Sequence, residues 1–187
     1  GQVLADNGHI VKIHDAALEG WENKKILDSE KKIISVGQTD ENIKKVVYDF
    51  SPDVVAISVL FSNLLESAHN IAKLVKQVNK NITVVLGGNH ISGALTDYKF
   101  SMADTNSNLP DYIPELENKN IDFAMTGEGE YSMLELVNAL ANKSDIGKIP
   151  GIVKKIGEKK YLINPPKRIQ STDIHLSAKY SLLSSLS

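Results

Sequence analysis

Three short apolar runs set between amphipathic stretches constrain this chain more than any other feature. "VVAISVL" (Val54 to Leu60), "ITVVL" (Ile82 to Leu86) and "IDFAM" (Ile121 to Met125) show little polar alternation. Such runs suit strands covered on both faces, as in a parallel sheet. Between them the period changes. Ile43, Val46, Val47 and Phe50 fall at i, i+3, i+4 and i+7, one face of a helix, and Pro52-Asp53 ends it. Glu66 to Asn79 carries the stripe Ala68, Ile71, Ala72, Val75 and Val78. Tyr131 to Ala141 carries Met133, Leu136, Val137 and Leu140. Strands alternating with helices over short connections predict a doubly wound α/β fold, Rossmann-like or flavodoxin-like, with helices on both faces of a parallel sheet.

The flanks are less regular. "GQVLADNGHIVKI" reads as a helix end, a turn at Asn7-Gly8 and a strand at His9 to Ile13. A doubly wound domain usually opens on a strand before such a helix, so one is expected from residues ahead of Gly1 or from another chain. Ala17 to Gly37 is long and polar, and Thr96 to Asn120 reads as a surface excursion with one short helix. After Pro150-Gly151, "IVKKIGEKKYLIN" predicts a β-hairpin turning at Gly157-Glu158. Pro165-Pro166 opens a Ser-rich tail. The expected organisation is one α/β domain over residues 1–164 and a linker over 165–187.

Composition removes several function classes. The chain has no cysteine, so it offers no thiolate to a metal or an iron–sulfur cluster. The net charge is −2 with Lys and Arg scattered, which argues against a nucleic-acid partner. No apolar run approaches the ~18 residues of a membrane helix. A cytoplasmic protein with no membrane or nucleic-acid partner is expected.

Ligands of an open parallel sheet bind beyond the carboxyl ends of its strands. Three segments meet that edge: "SVLFSN" (Ser58 to Asn63), "GGNHISG" (Gly87 to Gly93) and "GEGEYS" (Gly127 to Ser132). All are rich in Gly and Ser, so a bulky, flat ligand could lie against bare main chain. Phosphate motifs are absent. There is no G-x-x-x-x-G-K-[ST], and "GEGEYS" has Ser132 where a dinucleotide fingerprint needs its third glycine. Its glutamates would also repel a pyrophosphate. Plainer readings stand beside these. Gly87-Gly88 could be a tight turn, Glu128 and Glu130 could complement a helix dipole, and Phe61 could be a core aromatic. Tyr131 and Ser132 could simply start a helix.

"PDVVAISVLFSN", "VVLGGNHIS", "IDFAMTGEGEYSMLELVNAL", "IPGIV" and "NPPKRI" come in the order and spacing of one family. From about Gly8 to Ile169 the chain resembles the N-terminal cobalamin (B12)-binding domain of cobalamin-dependent radical SAM enzymes. The paired "GGxH" and "GEGE" blocks are the most specific part. The resemblance implies a corrin across the carboxyl edge, with Ser58, Leu60, Phe61 and Ser62 beneath it. It implies that Gly87, Gly88 and His90 flank the nucleotide tail and that Gly127, Glu128 and Gly129 pack on its base and ribose. It further implies cobalamin bound with its base displaced and no protein histidine on cobalt. "DIHLSA" (Asp173 to Ala178) approaches the D-x-H-x-x-G pattern of histidine-ligated relatives but ends in Ala and lies in the tail. The iron–sulfur cluster and SAM would belong to a barrel of the same parent chain, and the parent would be a methyltransferase. On this reading the chain is not a complete enzyme.

Two other readings remain. One is a flavodoxin- or receiver-like domain, although Asp53 precedes its strand and so sits at the wrong edge for a phospho-acceptor. The other is a cofactor-free α/β interaction domain, in which an unfilled sheet position invites a homodimer.

Overall fold

A computed structural model of the chain describes residues 1–28, 30, 32–102, 113–158 and 160–169, with the side chains of 27, 33 and 96–102 left aside. The "DIHLSA" segment and most of the expected linker lie outside the described residues. The chain divides into two compact units, one built from Gly1–Ser51 and one from Pro52 onward.

The first unit holds α1 (Gln2–Asp6), an antiparallel pair β1 (Lys24–Asp28) and β2 (Ile33–Val36), and α2 (Asp40–Phe50). Helix α2 follows the sequence pattern: Ile43 and Val47 are buried. Thr39 caps its start by accepting from the Asn42 amide at 3.3 Å. Asp40 and Glu41 stand in its first turn, favourable to the dipole. The strand expected at His9 to Ile13 does not form. Ile13 makes a single bridge and Ile10 is 89% exposed. A short apolar segment gives a strand only where a sheet edge receives it. The polar stretch from Ala17 to Gly37 instead holds the small β1–β2 pair.

The second unit is an α/β sheet of five strands in the order β3-β4-β5-β6-β7. Strands β3 (Val54–Ser58), β4 (Thr83–Gly87) and β5 (Phe123–Met125) are parallel. β6 (Ile152–Gly157) and β7 (Lys160–Ile163) add the predicted hairpin to the same sheet, antiparallel. Helix α3 (Leu65–Val78) packs on β3 and β4, α4 (Asn89–Met102) on β4 and β5, and α5 (Gly129–Asn142) on β5. Val85, Phe123, Met125 and Ile152 form one core with Leu136 and Ala139 of α5. Val84 and Leu86, which point the other way from β4, are equally buried. Both faces of β4 are therefore covered, as its apolar run requires, whereas β3, at the sheet edge, departs from that expectation: none of its residues is fully buried and Ala56 and Ser58 are exposed.

Helix α4 departs from the expectation. It begins within the Gly-rich segment and runs to Met102, across part of the stretch read as an excursion. Ile91 and Leu95, one turn apart, anchor it in the core. The described part of the excursion contains one short 3-10 turn, Pro114–Leu116.

Candidate functional site

The first two strand-end loops are tied together by main chain. The Val59 amide donates to the Gly87 carbonyl at 2.7 Å, and the His90 amide donates to the Val59 carbonyl at 3.0 Å. Gly88 lies under this crossing with φ +99°. A Cβ there would stand 2.6 Å from the Val59 oxygen, so only glycine fits. The close approach that Gly88 serves is thus made by the protein itself. Gly87 differs: a Cβ there would meet only the Met125 carbonyl at an ordinary 3.8 Å.

Above this junction lies a depression of about 430 Å³ lined by Leu60, Phe61, Ser62, Asn89, His90, Gly93 and Ala94. Leu60 and Phe61 are 51% and 67% exposed, so Phe61 is not a core aromatic. They follow Val59, which is fully buried and fixes the loop behind them. Ser58 closes β3 opposite Gly87 and is itself exposed. Ser62 Oγ lies 3.1 Å from His90 Nδ1 across the depression's wall. The other ring nitrogen, Nε2, faces inward, 3.5 Å from Glu115 Oε1. Glu115 is 5% exposed. Sequence reasoning missed it, because a Glu after a Pro in a polar stretch reads as a surface residue.

The third loop joins through α4: the Gly127 amide donates to Ser92 Oγ at 3.0 Å. Gly127 and Glu128 do not line the depression. Gly127 has φ +77°, and a Cβ there would press 2.5 Å from Pro166 Cβ. Glu128 caps α5 in sequence position without a side-chain cap bond, and its carboxylate accepts from the Ile169 amide at 2.6 Å. Gly129 has only Met125 Sδ nearby, at 3.5 Å from a would-be Cβ. Ser132 is buried in the first turn of α5. Among the described residues, no His, Asp and Glu cluster could hold a metal ion, and no helix is long and apolar enough to cross a membrane.

Residues 2–105 match the B12 binding domain. The chain belongs to that family. Among its relatives, cytidylyl-2-hydroxyethylphosphonate methyltransferase of Streptomyces wedmorensis is 30% identical over 165 residues, 87% of this chain and 27% of the relative. An uncharacterised methyltransferase of Pyrococcus horikoshii is 30% identical over 148 residues, 78% of this chain and 28% of the relative. The chain therefore spans little more than a quarter of these proteins. A solved structure of the cobalamin-dependent S-adenosylmethionine radical enzyme OxsB, with aqua-cobalamin and S-adenosylmethionine bound, shares the fold at TM-score 0.50 and 21% identity. It is covered over 71% of this chain and 16% of that one. The radical S-adenosylmethionine methyltransferase TsrM from Kitasatospora setae, with cobalamin and a 4Fe-4S cluster bound, aligns at TM-score 0.46 and 18% identity, over 70% of this chain and 21% of that one.

The B12-binding segment takes in the first two strand-end loops, and the third lies beyond it. The depression, too, is built from the first two loops alone. In this B12-binding domain the third loop is instead touched by Pro166 and Ile169, with Gly127 and Glu128 still exposed, and residues 165–169 leave the hairpin where the Gly151 amide donates to the Pro165 carbonyl. Three residues outside the site brace the same unit. Lys155 donates to Glu117 at 2.6 Å, and Tyr161 donates to its other oxygen. These hydrogen bonds, Lys155 first, hold the Glu117 carboxyl below the usual carboxylate range.

Proposed function

We propose that the chain is the cobalamin-holding module of a larger radical SAM methyltransferase. The module would be residues 1–164, with 165–187 leading toward a barrel that carries the iron–sulfur cluster and SAM. The observation that carries this is the depression at the β3 and β4 ends, inside the B12-binding segment, with exposed Leu60 and Phe61 as its apolar lip.

The residues fit such a group. An apolar, planar ligand needs apolar walls and little obstruction. Leu60, Phe61, Gly93 and Ala94 supply this, and a Cβ at Gly93 would meet nothing within 4 Å. Ser58 and Ser62 are exposed hydroxyls that could meet a corrin's amide rim. Gly87 and Gly129 leave room that a side chain would fill. When bound, cobalamin supplies a transferable methyl group. The protein orients it and controls access to its lower face.

Binding with the base displaced and no histidine on cobalt belongs to this reading. His90 is the histidine of the depression, and it has Ser62 on one ring nitrogen and Glu115 near the other. Neither is turned outward as a free ligand, and Leu60 and Phe61 would give the lower face an apolar floor. The Gly127, Glu128 and Gly129 loop would meet the nucleotide tail, sharing that place with Pro166 and Ile169. The chain has no cysteine to hold a cluster by thiolate.

The test is reconstitution with hydroxocobalamin, desalting and a visible absorption spectrum. Retained corrin at about one per chain, with the spectrum of displaced base, is the expected result. Protein that emerges colourless overturns the proposal, and a yellow flavin carried through purification would favour the flavodoxin-like reading instead.

A further inference from the structure

Glu115 is a buried carboxyl with an unusual set of neighbours. It sits on the 3-10 turn Pro114–Leu116 and is 5% exposed. Burying a carboxyl is costly unless its oxygens are satisfied. Yet Oε2 has no hydrogen-bond partner among the described residues. Two histidines face this residue. His90 of α4 places Nε2 3.5 Å from Oε1. His69 of α3 approaches the Glu115 main chain, and burial holds its pKa below the ordinary value despite that contact and the nearby charge. Burial thus disfavours on His69 the charge that would compensate the carboxyl. The neighbouring acid, Glu117, is committed to Lys155 and Tyr161. His90 Nε2 is likewise buried and makes no hydrogen bond among the described residues, so Glu115 Oε1 is its neighbour by proximity alone.

A neutral imidazole carries one proton, and the partner of one nitrogen decides the role of the other. A carboxylate beside Nε2 favours the proton there. Nδ1 is then bare and can only accept. Its neighbour is the Ser62 hydroxyl at 3.1 Å. Ser62 must therefore spend its single proton inward, on His90. What it shows to the depression is lone pairs.

We propose that Glu115 is a positioning residue that, through His90, makes Ser62 a hydrogen-bond acceptor toward the depression, suited to an N–H donor such as a carboxamide at a corrin's rim. The Glu115–His90–Ser62 order stands on this chain's geometry. The identity of the donor rests on the cofactor reading above. The device joins three elements: the loop after β3, the first turn of α4 and the turn at Pro114. A change at Glu115, which does not line the depression, is thereby felt at its wall.

The experiment reads the His90 tautomer in the cofactor-free 187-residue chain. Long-range 15N–1H correlation is recorded at about pH 8, above the reference imidazole pKa of about 6.5. Wild type is expected to carry the proton on Nε2. Glu115→Met, apolar and of similar length, should give a mixture of tautomers. Glu115→Gln keeps an acceptor oxygen and should restore the wild-type form. Ser62→Ala, at an exposed position, should leave the proton on Nε2, because Glu115 remains. An unchanged tautomer in Glu115→Met overturns the proposal, and so does a switch in Ser62→Ala. Should Glu115→Met fail to fold by circular dichroism, the Ser62→Ala spectrum decides alone. A second arm titrates hydroxocobalamin. Glu115→Met and Ser62→Ala should each weaken binding about five- to tenfold, the worth of one hydrogen bond, and the double variant no further. Wild type that binds no corrin sinks the cofactor reading, while the tautomer still decides the role of Glu115.

Discussion

A Cβ placed on Gly88 would stand 2.6 Å from the carbonyl oxygen of Val59. The two strand-end loops are thus interlocked by a contact that no side chain permits, and the lip residues Leu60 and Phe61 are set by it. Gly88→Ala should cost about 1–3 kcal/mol from the left-handed φ, with the clash in addition. Gly87→Ala, whose Cβ would be in ordinary contact, should be near neutral in stability but reduce corrin retention. Urea unfolding and the reconstituted spectrum separate the two. Equal stability losses would show that the pair serves only the turn.

Phe61 offers a cleaner separation. It is 67% exposed, so Phe61→Ser should change stability by less than about 0.5 kcal/mol. If the residue lies against a corrin, affinity for hydroxocobalamin should nevertheless fall about tenfold or more, since burying such a ring is worth about 1.5–3 kcal/mol. Unchanged binding would remove Phe61 from the site.

Pro166 and Gly127 should be coupled. Gly127→Ala forces its Cβ to 2.5 Å from Pro166 Cβ at a φ of +77°. The substitution should destabilise, and Pro166→Gly, which removes the opposing atoms, should recover part of the loss. The remainder is backbone strain, about 1 kcal/mol. A double-mutant cycle in chemical denaturation measures the coupling, and strict additivity would mean that residues 165–169 do not pack on the loop in solution.

The Glu117 network makes a pH prediction. Lys155 and Tyr161 lower the Glu117 pKa in the folded state. A group so depressed contributes stability that is fully present above the unfolded carboxylate pKa and is lost as pH falls through the lower folded value. The urea midpoint should therefore drop in acid, and Glu117→Gln should drop less over the same range. Tyr161→Phe should also destabilise, because the Ile113 amide donates to the Tyr161 hydroxyl at 3.2 Å and would lose its acceptor. About 1–3 kcal/mol is expected for a buried amide left unpaired.

Much of the second unit was legible because its residues obey one period at a time. Val84, Val85 and Leu86 are all buried, which is why an unbroken apolar run identified β4. Ala68, Ala72 and Val75 kept a helical spacing, and α3 formed over nearly the expected residues. Helix α4 was not legible. Gly93 sits inside it as a poor helix former, and its start looks like a ligand loop. Ile91 and Leu95 become a pattern only once β4 and β5 are beside them. His9 to Ile13 failed in the opposite sense, since apolar residues without burial make no strand, and Ile10 is exposed. At the site, the glycines and Ser62 were visible as residues that leave main chain bare. Glu115 was not, because its burial comes from the tertiary meeting of α3, α4 and the Pro114 turn.

The hairpin carries a consequence for how the polypeptide is routed. β6 starts beside the end of β5, runs back, and β7 reverses again, so Asn164 emerges level with Ile152. Two reversals cancel. The backbone departs from the rim at which the glycine loops gather, and Pro166 and Ile169 are already over one of those loops.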